Sequence, residues 1–308
     1  MHDAGAWLHP HIIWEPTLDV ERLRHELRER GSLLATWPAT EFDATDTDCF
    51  TLGEDFWVLQ PDVGAVRFRL DTPSLTALPW PNADDSWFRQ VVTRSWLPAL
   101  YPLWGRQVLH ASAVLCAASD AAVAFTGPTH SGKSTTAFGL RRKPGWTALC
   151  DDTVAFSVAR ADGGTRIHLH PLPNEARLRP ASAEFYGLPA DSASETLTWP
   201  SGTPTLRAVY VLEGDEHSRA VAEFTRLRTT DGLPLLLQQA YALSLELPKY
   251  NQQLMKDYLA LAAGVPLFRL RYRRSFDVAD ELFAAIEAHL AAVAGVACTP
   301  GVPVGDRG

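Results

Sequence analysis

Gly127-Pro128-Thr129-His130-Ser131-Gly132-Lys133-Ser134 satisfies the pattern GxxxxGK[ST] without a gap, and no other stretch constrains the fold as much. The apolar Val123–Phe125 enters it and a helix-compatible run, Thr135–Leu140, leaves it. The pattern therefore predicts a strand, a tight loop and a helix in that order, and hence an α/β architecture. The physics of such a loop is direct. Gly127 and Gly132 let the backbone wrap closely, so that successive N–H groups turn inward toward phosphate oxygens. The start of the helix adds partial positive charge. Lys133 is expected to be solvent-accessible and to reach the β- and γ-phosphates, while the Ser134 hydroxyl ligates Mg²⁺. Thr129, His130, Ser131 and Thr135 complete the expected nucleotide contacts. The implied ligands are ATP and Mg²⁺.

With 308 residues, 46% of them hydrophobic and 21% charged, the chain can bury a sizeable core. Its formal net charge of −8 argues against a protein that grips nucleic acid. No apolar run approaches the roughly 18 residues that cross a bilayer. Met1–Pro16 lacks a basic segment followed by an apolar one, so no signal peptide and no membrane association are expected. Cys49, Cys116, Cys150 and Cys298 show no metal-ligand or CxxC spacing and read as reduced, mostly buried thiols of a cytoplasmic protein. A homo-oligomer is compatible with all of this.

Three regions emerge: a small N-terminal α+β region over residues 1–104, a catalytic domain over 105–294, and a Gly/Pro-rich tail over 295–308 expected to be disordered. Residues 1–19 read as irregular, 20–30 as a helix stopped by Gly31, 56–59 and 66–70 as strands, and 73–85 as a loop. An amphipathic helix is expected over 86–101, kinked or ended by Pro98. In the catalytic domain, strands are expected at 108–116, 121–126, 148–150, 154–158 and 267–272. Helices are expected at 134–142, 233–247, 250–263 and 277–294, the last with Asp277 as its N-cap.

Two further features can carry chemistry. Asp151-Asp152 closes the apolar run Trp146–Cys150. Adjacent side chains of a regular strand point to opposite faces, so both carboxylates serve one site only where the strand is ending. One can then approach the metal while the other takes a proton from an attacking hydroxyl. His110, in Leu109-His110-Ala111-Ser112-Ala113-Val114, precedes the loop's own strand and can reach the same end of the sheet. Arg269, Arg271 and Arg273 alternate with apolar residues and share a strand face, either solvated or used to dock an acidic acceptor. His168 and His170 share another face but lack a third ligand nearby.

Together, "LHASAV", "GPTHSGKST" and "CDDTVAF" resemble the catalytic domain of HPr kinase/phosphorylase. They are closer still to the HPr-kinase-like proteins of ribosomal peptide biosynthesis, including lasso-peptide kinases. The resemblance spans roughly residues 105–290. It implies a P-loop kinase domain of the HPr kinase/phosphoenolpyruvate carboxykinase type and ATP-dependent phosphorylation of a Ser hydroxyl on a peptide or protein. It matches Asp151 to the catalytic base, Asp152 to a metal-side carboxylate and His110 to the active-site His. The chain departs from the bifunctional enzymes in three ways. Thr135 stands where they carry an acidic residue, and their Gly-rich signature and phosphorolysis loop are replaced by Leu172–Pro180. Within that stretch Glu175 is a candidate metal-side acid and Arg177 a candidate phosphate clamp. The other readings are a small-molecule kinase and a nucleotide-dependent regulatory module.

Overall fold

The computed structural model describes residues 10–16, 19–38, 45–161, 164–172, 175–178, 180–188, 194–197, 199–200, 202–243, 245 and 247–295. The chain is mixed α/β and divides into two compact units, Met1–Gly105 with Ala242–Asn251, and Arg106–Tyr241 with Gln252–Gly308.

In the first unit, β1 (His11–Trp14), α1 (Val20–Arg30), β2 (Ser32–Trp37), β3 (Thr47–Leu52), β4 (Asp55–Gln60), β5 (Gly64–Phe68) and β6 (Ser74–Pro79) follow one another. The sheet order is β1-β6-β5-β4-β3-β2. Asp19 caps α1 by accepting from the Arg22 amide. Leu23 and Leu27 of that helix join Phe50, Trp57, Leu78 and Trp80 in the core of the unit. Two expectations fail. Residues 11–14 are not irregular but pair in parallel with β6. Residues 74–79, expected in a loop, form that partner strand. In both places the prolines misled, because Pro10, Pro16, Pro73 and Pro79 bound the strands and remove no ladder hydrogen bond from their middles. After α2 (Asp85–Val91) the helix opens into a π turn over Val92–Trp96 before α3 (Leu97–Leu100). The Leu97 amide reaches back to the Val92 carbonyl. Pro98, which has no N–H to give, is thus accommodated by a local widening of the helix.

The second unit contains β7 (Gln107–Leu109), β8 (Ala111–Cys116), β9 (Ala121–Thr126), α4 (Lys133–Arg141), β10 (Trp146–Cys150), β11 (Val154–Ala161), β12 (Gly164–His170), β13 (Glu175–Arg177), α5 (Pro180–Phe185) and β14 (Ser194–Thr196). It continues with β15 (Thr205–Asp215), β16 (Ala222–Arg226), α6 (Thr229–Leu237), β17 (Leu267–Arg273) and α8 (Ala279–Ala294). Helix α7 (Pro248–Gly264) begins in the first unit and ends in the second. The main sheet runs β10-β8-β9-β15-β17-β16, and a branch β12-β11-β7 joins it at β15. Strands β9, β15 and β17 are parallel.

Alternate residues of β9 feed two cores. Val123 and Phe125 pack with Ala137 and Leu140 of α4 and with Leu282, Phe283 and Ile286 of α8. Ala122 and Ala124 pack in the cluster that includes Leu236 of α6 and Tyr258 and Leu261 of α7. A strand covered on both faces reads as a continuous apolar run, as this one does.

The helix expected over 233–247 stops at Leu237. The backbone beyond it is taken by β7: the Gln239 carbonyl accepts from the His110 amide, and the Tyr241 amide donates to the Val108 carbonyl. Ser275, not Asp277, caps the turn Phe276–Val278 that leads into α8. Gly295 ends α8 in a left-handed conformation, and residues 296–308, the rest of the expected tail, lie outside the described residues. No described helix is long and apolar enough to cross a membrane. Cys49 and Cys150 are free and buried. Cys116 is disulfide-bonded, against the expectation of reduced thiols, and Cys298 lies outside the described residues.

Candidate active site

Strand β9 ends at Thr126, and the chain then closes into a loop before α4. Gly127, Gly132 and the non-glycine His130 all have positive φ, at 141°, 87° and 69°. A Cβ on Gly127 would lie 2.9 Å from both the Leu212 carbonyl oxygen and Ser131 Oγ, and one on Gly132 would run into the Tyr272 hydroxyl. Glycine is therefore required at both places. The Tyr272 hydroxyl donates to the Ser131 carbonyl at 2.9 Å, so β17 braces the loop from behind. Burial pushes the pKa of that phenol up, keeping it a donor. Pro128, Thr129 and His130 form the exposed crest.

Lys133 departs from expectation. It is buried, at 6% exposure, because the loop folds over its stem. Its ammonium donates to the carbonyls of Gly127 (3.0 Å) and Pro128 (3.1 Å), partners that a buried charge requires. Ser131 Oγ is buried and has no hydrogen-bond partner among the described residues. A close-wrapped backbone, a lysine held within the loop and a buried hydroxyl without a described partner fit a triphosphate, whose oxygens would accept from all three. The Thr135 hydroxyl pairs with that of Ser182 in α5 at 2.8 Å, so it braces α4.

Beside this loop lie two corners where the chain passes between the main sheet and its branch. One is at His110, between β7 and β8, and the other at Asp151-Asp152-Thr153, between β10 and β11; the Leu109↔Val154 and Ala113↔Cys150 pairs bracket His110–Ser112 and Asp151–Thr153. The register on either side forces these segments to face each other. The Ser112 hydroxyl, fully buried, donates to Asp151 Oδ1 at 2.6 Å. His110 Nε2 lies 3.3 Å from Asp152 Oδ1. The Thr153 amide donates to the Asp151 carbonyl at 2.8 Å across Asp152, whose φ is 67°. This tight turn ends the strand and frees the two carboxylates from opposite faces. Asp151 is buried, whereas the Asp152 side chain is 73% exposed. The loop joins the corner through Thr126, whose hydroxyl donates to the His110 carbonyl at 2.8 Å.

Of the two expected metal-side residues, Ser134 lines a pocket with Asp151, Arg141 and Leu178, and Asp152 is not part of its lining. Asp151 sits near enough to help drive the thiol pKa of the buried Cys150 upward, after burial itself. Ser112 was missed from the sequence, although a lone hydroxyl on an apolar central strand is a readable signal. Glu175 and Arg177 lie in β13, and their side chains fall outside the described residues.

The arginine stripe of β17 is largely neutralised. Arg269 pairs with Glu213 and Arg271 with Asp215, both on β15. That removes much of its case as a docking surface for an acidic acceptor.

His168 and His170 share a face of β12, but among the described residues no group of three or more His, Cys, Asp or Glu could hold a metal ion. His170 is instead contacted by Arg106 and accepts from or donates to Ser157 at 2.8 Å. Burial, then the charge of Arg106, holds its pKa down at about 3. The unfolded chain takes a proton near pH 6.5 that the folded chain refuses. This contribution is therefore fully present above pH 6.5 and is lost as pH falls toward 3. Urea midpoints should drop less between pH 7 and pH 5 in His170→Gln than in the wild type; equal drops would remove His170 from the acid response.

No protein-family model matches the chain, and no curated protein matches it. Among solved structures it is similar to the HPr(Ser) kinase/phosphatase from Coxiella burnetii, at 12% identity and a TM-score of 0.33, covering 61% of this chain and 93% of that one. At that score the likeness decides nothing about the site, which stands on the residues described above.

Proposed function

We propose that this chain is an ATP-dependent phosphotransferase that moves the γ-phosphoryl group to the Ser hydroxyl of a peptide or protein. The observation that carries the reading is the forced juxtaposition of His110–Ser112 with Asp151–Thr153 at the mouth of a Gly-rich, lysine-bearing loop. A module that only bound nucleotide would have no use for a buried carboxylate held by a fully buried serine at that place.

Phosphoryl transfer asks the protein for positioning, charge stabilisation and a proton acceptor. The loop amides and the Ser131 hydroxyl hold the phosphates. Lys133 exchanges its carbonyl partners for phosphate oxygens. Ser112 holds Asp151 through Oδ1, and the Asp151 carboxylate takes the proton from the acceptor hydroxyl as its oxygen bonds to the γ-phosphorus and ADP departs. His110 orients Asp152. Ser134 and Asp152 would hold Mg²⁺, which neutralises charge on the phosphates when bound.

Incubation with ATP, Mg²⁺ and Ser-bearing peptides should add one phosphate, read by mass spectrometry. Phosphorylation of a metabolite and of no peptide would transfer the reading to a small-molecule kinase. Asp152→Asn should raise the Mg²⁺ concentration needed for half-maximal transfer and recover part of its activity at high Mg²⁺. If Asp151→Asn showed that recovery instead, the pocket shared by Ser134 and Asp151 would mark Asp151 as the metal-side carboxylate.

A further inference from the structure

Two phenylalanines lie in the open on the second unit. Phe185 ends α5 and Phe276 opens the turn before α8, and they are 42% and 38% exposed. Their rings nonetheless stack, with centroids 4.4 Å apart and planes 18° from parallel. A stacked aromatic pair left in water forgoes the burial that normally stabilises such rings. Each lies close in sequence to a tyrosine that holds the Gly127–Ser134 loop or its helix. Phe185 contacts Tyr186, with centroids 4.9 Å apart, and the Tyr186 hydroxyl donates to the Thr135 carbonyl at 3.0 Å. Phe276 follows β17 a few residues beyond Tyr272, whose hydroxyl grips the Ser131 carbonyl at 2.9 Å. Tyr186 thus ties the Phe185 side to the first turn of α4, and Tyr272 ties the strand that leads to Phe276 to the loop.

Its position in the sheet points the same way. β9, β15 and β17 run parallel, so the loop after β9 and the turn after β17 lie at the same, carboxyl, ends of their strands. In open α/β sheets that edge is where ligands bind. A triphosphate seated in the loop has to project its nucleoside outward across this edge.

We propose that the Phe185–Phe276 pair is the platform on which the nucleobase of that triphosphate stacks. The inference rests on the phosphate-binding reading of the loop and adds a second contact to it. A flat heterocycle laid on the pair would cover the exposed ring face, and stacking tolerates different bases because each has a π-face. The pair therefore supplies affinity for a nucleotide over a bare polyphosphate, with purines, the larger ring systems, held best.

Calorimetric titration with ATP and with inorganic tripolyphosphate separates the two contacts. Phe276→Leu keeps apolar bulk and loses the π-face, and Phe185→Ala removes the partner ring. Each should weaken ATP about tenfold while leaving tripolyphosphate unchanged, and Phe276→Trp should retain ATP. Thermal melts matching the wild type identify variants that have kept their fold. Unchanged ATP affinity in Phe276→Leu, or equal weakening of both ligands, overturns the platform while the loop reading stands. Tripolyphosphate that binds wild type and Lys133→Ala alike overturns the loop reading, and the platform with it.

Discussion

Asp151→Asn should bind ATP as the wild type does and transfer its phosphoryl group about 10²- to 10⁴-fold more slowly, the usual worth of a general base. The substitution keeps the shape of a buried side chain and keeps an oxygen for the Ser112 hydroxyl. What it removes is the basicity of the carboxylate. Packing around the residue should survive, because Ser112, Cys150 and Thr153 stay in place. The check is labelled-phosphate transfer from ATP to Ser-bearing peptides beside a calorimetric ATP titration of the same sample. Transfer within about threefold of wild type would return Asp151 to a structural role, because a general base is worth at least ~10²-fold.

Lys133→Ala should weaken ATP about 10- to 100-fold, in line with the loss of charge-assisted hydrogen bonds, and bring transfer below detection. Its structural consequence differs from what an exposed lysine would give. Lys133 is buried and satisfies the Gly127 and Pro128 carbonyls, so its removal leaves two loop acceptors short of a donor. A modest fall in melting temperature is expected alongside the functional loss. Lys133→Arg is a useful companion: it keeps the charge but has to fit a planar fork where an ammonium now coils, and it should not rescue transfer. Full transfer by Lys133→Arg would show that charge alone suffices at this position.

The sequence made elements legible where local chemistry decides them. α1 is framed by Asp19 and Gly31, and β9 and α4 are framed by the Gly-rich pattern. It misled where partners distant in the chain decide. β1 and β6 hold each other in place between their prolines. α6 is cut short because β7 claims the backbone beyond it. The site shows the same division. His110 and Asp151-Asp152 were visible as motifs, but their adjacency follows from strand register on both sides of two corners, which no local pattern encodes. Ser112 acquires meaning only once that register sets it against Asp151. The β17 arginines looked available because Glu213 and Asp215, which pair with two of them, lie on a strand far away in sequence.

The central claim is that the Gly127–Ser134 loop takes a nucleoside triphosphate through Lys133. Calorimetric titration of ATP with Mg²⁺ into the wild type and Lys133→Ala tests it most directly. The account predicts saturable one-to-one binding by the wild type and binding at least about tenfold weaker by the variant. Equal affinity in the two proteins, or no binding by the wild type, would contradict it.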